Sequence, residues 1–103
     1  MAAKRVDFDV NERTGDFTFL PYGRDMSIID NDTVEFVDEK SRLFKIVFHG
    51  QSPLKEKKVS HKKPKSALEV RVKPGIYRYA IAILNSAGDE LFLEADCPSI
   101  IVH

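Results

Sequence analysis

The sequence is poor in cysteine and has no long apolar run. Only one of its 103 residues is a cysteine, Cys97, so no disulfide can form within the chain, which fits a reducing compartment. No apolar run approaches the ~20 residues that a membrane-spanning helix needs. The opening MAAKRVDFDV has a basic pair but no apolar segment behind it, unlike a signal peptide. We therefore expect a protein without a membrane span that is cytoplasmic, or exported if a leader has been removed.

The sequence also lacks helical periodicity, since no 3.6-residue apolar pattern extends beyond two turns. Apolar and polar residues alternate instead, as in the organising block 31–50 and in its later partner 68–84. Eight or nine short segments have this pattern: Arg5–Val10, Asp16–Leu20, Met26–Ile29, Thr33–Val37, Phe44–Phe48, Leu68–Val72, Tyr77–Leu84, Leu91–Glu94 and Ile100–Val102. Short strands separated by regular turn signals are typical of sandwiches and barrels. We predict one all-β domain over 1–103, a Greek-key β-sandwich or barrel, with an immunoglobulin-like sandwich as second choice.

Catalytic motifs are missing as well. There is no G-x-S-x-G elbow, no glycine-rich phosphate loop and no helical histidine pair. The acidic cluster Asp30, Asp32, Glu35, Asp38 and Glu39 does not have the spacing of a calcium loop. Some of its members are more simply turn formers that bond nearby backbone N–H groups. We therefore expect neither an enzyme nor a cofactor.

Charge is unevenly placed on a chain whose formal net charge is zero. Acidic residues dominate the region 6–39, whereas the region 51–66, which we call the lysine segment, is basic. The lysine segment contains six lysines: Lys55, Lys57, Lys58, Lys62, Lys63 and Lys65. Its polar composition and its length predict a mobile loop, and long loops are often functional.

Three interpretations of the lysine segment remain open. Its lysines could simply be solvated and keep sheet edges from pairing with other chains. They could contact phosphate or an acidic protein surface. They could also dock on the acidic 30–39 face of a second copy, giving a homo-oligomer. The segment has no aromatic side chain to stack on a base, which disfavours sequence-specific binding of nucleic acid.

Several short motifs are similar to those of the cupredoxins, the blue-copper proteins. Phe19 and Pro21 match the family's Phe-x-Pro, and Asp32-Thr33-Val34 with Phe36-Val37 matches Gly-Asp-Thr-Val followed by an aromatic residue and valine. The segment LFKIVF at 43–48 takes the place of the family's His-x-Val-x-Phe, and PGIYRY at 74–79 resembles Pro-Gly-Thr-Tyr-x-Phe/Tyr. The closing Ile100–Val102 is similar to the family's last strand. The resemblance covers about 80 residues and implies a cupredoxin-like sandwich.

The same resemblance implies that the copper site is absent. A type 1 copper site uses two imidazoles, a thiolate and a weak axial thioether. The resemblance puts the first histidine on Phe44, the cysteine near Ile81 and the second histidine near Leu84, and no methionine follows Met26. Hydrocarbon side chains have no lone pair for a metal. The resemblance therefore implies a scaffold that has lost copper and electron transfer, which leaves a binding or adaptor role.

An alternative is a copper- or zinc-handling protein with ligands outside the family's pattern. Its candidate ligands are His49, Cys97 and His103. None of them forms the close pair spacing that marks a zinc site. The simpler interpretation is that His49 ends a strand and that Cys97 packs as a small apolar residue before Pro98.

Overall fold

A computed structural model describes residues 3–21, 23–28, 33–69, 72–94 and 97–103. These residues form ten β-strands and no helix. The strands are β1 (Ala3–Val10), β2 (Phe17–Leu20), β3 (Asp25–Ile28), β4 (Thr33–Asp38), β5 (Phe44–Phe48), β6 (Lys58–Ser60), β7 (Lys65–Ala67), β8 (Gly75–Leu84), β9 (Leu91–Leu93) and β10 (Ser99–Val102). The all-β prediction is confirmed.

The strands form two sheets that pack face to face. The first sheet has the order β2-β1-β4-β7, and the second has the order β3-β10-β8-β5-β6, with β9 paired to β8. Most pairs are antiparallel, but β1 with β4 and β3 with β10 are parallel. This is a β-sandwich, while the Greek-key label stays a prediction.

Alternation of apolar and polar residues explains which side of each strand is buried, because successive side chains point to opposite faces of a sheet. In β5 the side chains of Phe44, Ile46 and Phe48 are buried and those of Lys45 and Val47 are exposed. The longest strand, β8, pairs antiparallel with β5 and buries alternate residues in the same way. The predicted pairing of the two blocks is confirmed at these strands.

Aromatic side chains join the two sheets across the core. Phe8 of β1 meets Phe44 of β5 edge to face, with ring centroids 4.8 Å apart. Tyr79 of β8 contacts Phe36 of β4 at 5.6 Å and Phe48 of β5 at 5.4 Å. All five rings are almost fully buried. Such pairs contribute about 0.5–1.5 kcal/mol beyond the area they bury.

The segment 68–72 differs from its predicted strand. Val70 and Arg71 lie outside the described residues, and the flanking Leu68, Glu69 and Val72 belong to none of the ten strands. Leu68 instead forms an isolated bridge with Leu54 of the lysine segment. The sequence indicated neither β6, which lies inside the lysine segment, nor β7, which begins in it.

Candidate partner-binding surface

Buried side chains tie the lysine segment to the core. Leu54 is 1% exposed and Val59 is fully buried in the main apolar cluster. The Ser66 hydroxyl accepts a hydrogen bond from the backbone N–H of Glu56 (3.1 Å), which links two arms of the segment. The segment therefore has fixed points between its lysines, and its mobility stays a prediction.

The six lysines of the segment are all exposed, but they lie on different faces. Lys58 stands in β6 of the second sheet opposite Val47. Lys65 stands in β7 of the first sheet opposite Glu35. Because the segment crosses from one sheet to the other, the lysines do not form a single patch. Lys58 and Lys62 share one groove with Lys45 of β5, a residue that the sequence analysis did not single out.

Two of the three residues that the cupredoxin resemblance assigns to copper lie at one end of the second sheet, and the third lies further along β8. Phe44 begins β5, is 6% exposed, and packs against Phe8 and the ring of His61. Ile81 lies fully buried in the middle of β8 opposite Ile46. Leu84 ends β8 and is half-buried. Their side chains are hydrocarbons, and type 1 copper requires nitrogen and sulfur donors, so these three residues do not fit that ion.

A buried arginine near the same end was missed by the sequence analysis. Arg42 is 4% exposed and donates from Nε and Nη2 to the two carboxylate oxygens of Asp38, at 2.8 Å each. Nη2 also donates to Asp9 (2.5 Å), and Nη1 donates to Glu12 and to the carbonyl of Val10, both at 3.1 Å. The guanidinium thus joins β1, the turn after β1 and the end of β4. The sequence held one signal for this cluster: Arg42 lies four residues after the aspartate that ends β4, in the short link between β4 and β5.

These contacts shift the pKa values of the groups involved. Hydrogen bonds from Arg42 to Asp38 raise the pKa of the guanidinium above its ordinary value, against the effect of burial. Burial alone would raise the pKa of Asp38, but hydrogen bonds from the side chain and backbone of Arg42 hold it below its ordinary value. The hydrogen bond from the Ser86 hydroxyl lowers the pKa of Glu12, with Arg42 adding to the effect. The guanidinium of Arg42 and the carboxylates of Asp38 and Glu12 are therefore charged at neutral pH.

The acidic cluster does not form one exposed face. Asp30 and Asp32 lie outside the described residues, and Glu35 is half-buried beside β7. Asp38 is 6% exposed, and its carboxylate accepts from Arg42 and from the backbone N–H of Lys40. The interpretation of Asp38 as a turn former that bonds nearby backbone N–H groups is confirmed. The carboxylate of Asp38 is consequently occupied within the chain rather than open to a second copy.

The alternative metal ligands are only partly brought together. Sγ of Cys97 lies 4.0 Å from Nε2 of His49, because Cys97 precedes β10 and His49 follows β5 on either side of β8. His103 follows the other end of β10, roughly 20 Å along an extended chain from Cys97. Among the described residues, no three or more His, Cys, Asp or Glu side chains are arranged so that they could hold a metal ion.

Comparisons with known proteins agree with the architecture. No helix in the described part of the chain is long and apolar enough to span a membrane. No family model matches the chain, and no curated protein matches it. Among solved structures, a pseudoazurin from a species of Sinorhizobium superposes with a TM-score of 0.57 at 18% identity, over 100% of this chain and 75% of that protein. The likeness shows that this chain has a cupredoxin-like fold.

Proposed function

We propose that this chain is a non-catalytic binding module on a cupredoxin-like scaffold without a type 1 copper site, and that its lysine segment contacts an acidic protein surface or a phosphate-bearing partner. One observation carries the proposal: six lysines are exposed on a segment whose backbone is anchored by buried Leu54 and Val59. Anchoring lowers the entropic cost of presenting these cations to a partner.

The loss of copper is part of the proposal. It is supported by the apolar side chains of Phe44, Ile81 and Leu84 at the positions that the resemblance assigns to the ligands. Phe44 and Ile81 belong to the apolar core of the sandwich, and Phe44 packs edge to face against Phe8. The fold alone does not require a metal, since one scaffold can serve unrelated functions.

Charge reversal on the lysine segment tests partner contact. We compare Lys55→Glu/Lys57→Glu/Lys63→Glu with a control that changes the same charge elsewhere, Arg13→Glu/Lys40→Glu/Lys73→Glu, on a heparin column at two salt concentrations. We expect the unmodified protein to be retained at low salt and released at higher salt, since contacts between lysines and an anionic partner weaken with ionic strength. The segment variant should elute earlier than the control variant. Equal elution of the two variants, or no salt-sensitive retention of the parent, would contradict the proposed surface.

The 4.0 Å approach of Cys97 to His49 favours a second candidate, a copper- or zinc-handling protein. Titration with each metal, followed by absorption and by histidine NMR shifts, separates the two candidates. The second candidate requires a saturable, sub-micromolar site that is lost in Cys97→Ser and in His49→Gln. The matched control is His103→Gln, because His103 lies at the opposite end of β10. Weak binding that is the same in all variants would leave the first candidate in place.

A further inference from the structure

An open groove of about 690 Å³ lies on the outer face of the second sheet, between β6 and β9. We call it the amphipathic groove, because its lining is partly apolar and partly cationic. The apolar members are Leu43, Ala82, Leu84 and Leu91, and the cationic members are Lys45, Lys58 and Lys62. Sites for small molecules usually have a volume of about 300–1,000 Å³. The amphipathic groove therefore has the size of a small-molecule site.

A small side chain makes the floor of the groove. Ala82 of β8 lies opposite Lys45 of β5 on one side and opposite Leu93 of β9 on the other. Paired residues point to the same face of a sheet, so the methyl group of Ala82 stands between two long side chains. Leu93 is 66% exposed, so its side chain rises from the sheet surface. This difference in length produces a trough rather than a flat face.

The end of the groove at which β8 ends is apolar. Leu84 pairs with Leu91 of β9, and its backbone N–H donates to the carbonyl of Leu43 (2.9 Å). Leu43 is 50% exposed and Leu91 is 57% exposed. Single exposed leucines need no explanation, but adjoining ones form a patch of the kind that marks a binding groove.

Three lysines line the β6 side of the groove. Lys45 stands opposite Ser60 of β6, Lys58 lies two residues before Ser60 on the same face, and Lys62 lies in the turn after β6. Within the described part of the chain, none of the three ammonium groups has an ion-pair partner. No described residue that lines the groove is acidic. The groove thus has uncompensated positive charge beside an apolar floor.

We propose that the amphipathic groove binds a small amphipathic carboxylate of the fatty-acid class. Its carboxylate binds Lys45, with Lys58 and Lys62 adding positive charge, and its chain lies over Ala82 towards Leu91. An unbranched chain fits a floor made by a single methyl group. The chain has two strand spacings to cross from β5 over β8 to β9, about 10 Å. This ligand goes beyond the proposed contact of the lysine segment with a macromolecule.

The area of the groove favours a small ligand over a protein. Its lining spans three strand spacings of ~4.8 Å and about three residues at ~3.3 Å each, roughly 140 Å². A protein partner usually buries about 800 Å² on each side of an interface. A ligand that fills the trough therefore uses the apolar lining more completely than a protein surface resting on it.

NMR titration of the backbone amides with butyrate, octanoate and decanoate, each below its micelle concentration, tests the ligand class. We expect saturable shifts at Lys45, Ala82 and Leu91, with an affinity that rises about two- to fourfold per added methylene. Octanol, which has the chain of octanoate without its charge, should bind more weakly than octanoate. Equal binding of octanol and octanoate, no dependence on chain length, or shifts that never saturate would overturn the proposal.

Paired variants locate the carboxylate and the chain. Lys45→Glu/Lys58→Glu should weaken decanoate binding about tenfold, whereas Lys40→Glu/Lys73→Glu, with the same change of charge outside the groove, should leave it nearly unchanged. Leu91→Ala should weaken it several-fold, and Leu20→Ala, at an equally exposed leucine of the first sheet, should not. The amide spectrum of each variant checks that it remains folded. Equal effects of a groove variant and its control would overturn the site.

A peptide of alternating glutamate and leucine residues is the competing probe. If the peptide shifts the groove amides and decanoate does not, the occupant is a protein and the proposal is wrong. Heparin retention is a separate measurement, because Lys55, Lys57 and Lys63 do not line the groove. We expect Lys55→Glu/Lys57→Glu/Lys63→Glu to bind decanoate nearly as the parent does, so that the groove and the partner contact can fail independently. Loss of decanoate binding in that variant would contradict the placement of the carboxylate at Lys45.

Discussion

At the scale of the residue, Arg42 is the most consequential side chain outside the apolar core. Its guanidinium is almost completely buried and makes hydrogen bonds to three carboxylates and to one carbonyl. Removal of one member of a buried ion pair is costly, because the partner charge is left without compensation. Arg42 therefore stabilises the link between β4 and β5 and holds it against β1.

The first prediction concerns this arginine. Arg42→Met should lower the free energy of unfolding by about 3–5 kcal/mol, since Asp38 would stay buried without its cation. Arg42→Lys should have an intermediate effect, because an ammonium keeps the charge but cannot bond both oxygens of Asp38 in the same planar geometry. Urea unfolding measures both variants. Arg13→Met, at an exposed arginine in the first turn, should change stability by no more than about 0.5 kcal/mol. Equal effects at the two positions would show that the Arg42 cluster is not stabilising.

The second prediction follows from the pKa of Asp38, which is lower in the folded chain than in the unfolded one. A carboxyl with a lowered folded pKa contributes stability at neutral pH and loses that contribution as the pH falls through the folded pKa. Stability should therefore decline once the pH falls below the ordinary aspartate pKa of 3.8. Asp38→Asn should be less stable than the parent at neutral pH and should depend less on pH in the acid range. Urea midpoints from neutral to acid pH measure this, with the exposed Asp16→Asn as control. Parallel curves for parent and Asp38→Asn would contradict the assignment.

Arg42 also shows where residue-scale inference from sequence stops. The charged link DEKSR has the composition of a solvated turn, and nothing in that composition indicates which cation turns inward. Two of the three acidic residues that receive it, Asp9 and Glu12, come from β1 and the turn after it, 33 and 30 positions earlier in the chain. Such a cluster depends on the parallel pairing of β1 with β4, and alternation of apolar residues does not specify which strands become neighbours.

At the scale of the element, the alternation of apolar and polar residues was sufficient to predict which side chains of β5 and β8 face the core. It correctly placed Phe44, Ile46 and Phe48 on one face of β5 and Tyr79, Ile81 and Ile83 on one face of β8. It was insufficient at β6 and β7, which have only three residues each and bury one residue each, Val59 and Ser66. A pattern with a period of two needs several repeats to be recognised, and β6 and β7 are too short to provide them.

The third prediction tests whether the lysine segment is anchored. Leu54→Ala should lower the free energy of unfolding by about 2–4 kcal/mol, because it leaves a cavity beneath the segment. Hydrogen exchange should become faster in β6 and β7 than in β8. Lys57→Ala, an exposed position three residues later, is the control and should leave both measurements nearly unchanged. A neutral Leu54→Ala would mean that the segment is loosely held, as its composition alone predicts.

At the scale of the whole molecule, two sheets share one apolar core, and Phe44 and Ile81 are part of that core. The sequence was sufficient to predict the all-β class, which follows from the alternating strands, and the resemblance of the motifs around Pro21, Thr33 and Pro74 implied the cupredoxin-like fold. It was not sufficient to predict which exposed leucines become neighbours on the second sheet. Leu43, Leu91 and Leu93 become neighbours only through the pairing of β5, β8 and β9. Surfaces of this kind depend on register across three strands.

The last prediction measures how strongly Phe44 couples the two sheets. Phe8→Leu and Phe44→Leu should each lower the free energy of unfolding. The loss in the double variant should be smaller than the sum of the two single losses by about 0.5–1.5 kcal/mol, because each single variant already removes the edge-to-face contact between the two rings. Phe44→Leu combined with Leu20→Ala is the control, since Leu20 is exposed on β2, and these effects should add. Equilibrium unfolding in urea gives all the free energies. Strict additivity of the Phe8 and Phe44 changes would mean that the aromatic ring at position 44 does not hold the sheets together. A coupled pair would show that this position now contributes to the stability of the whole sandwich.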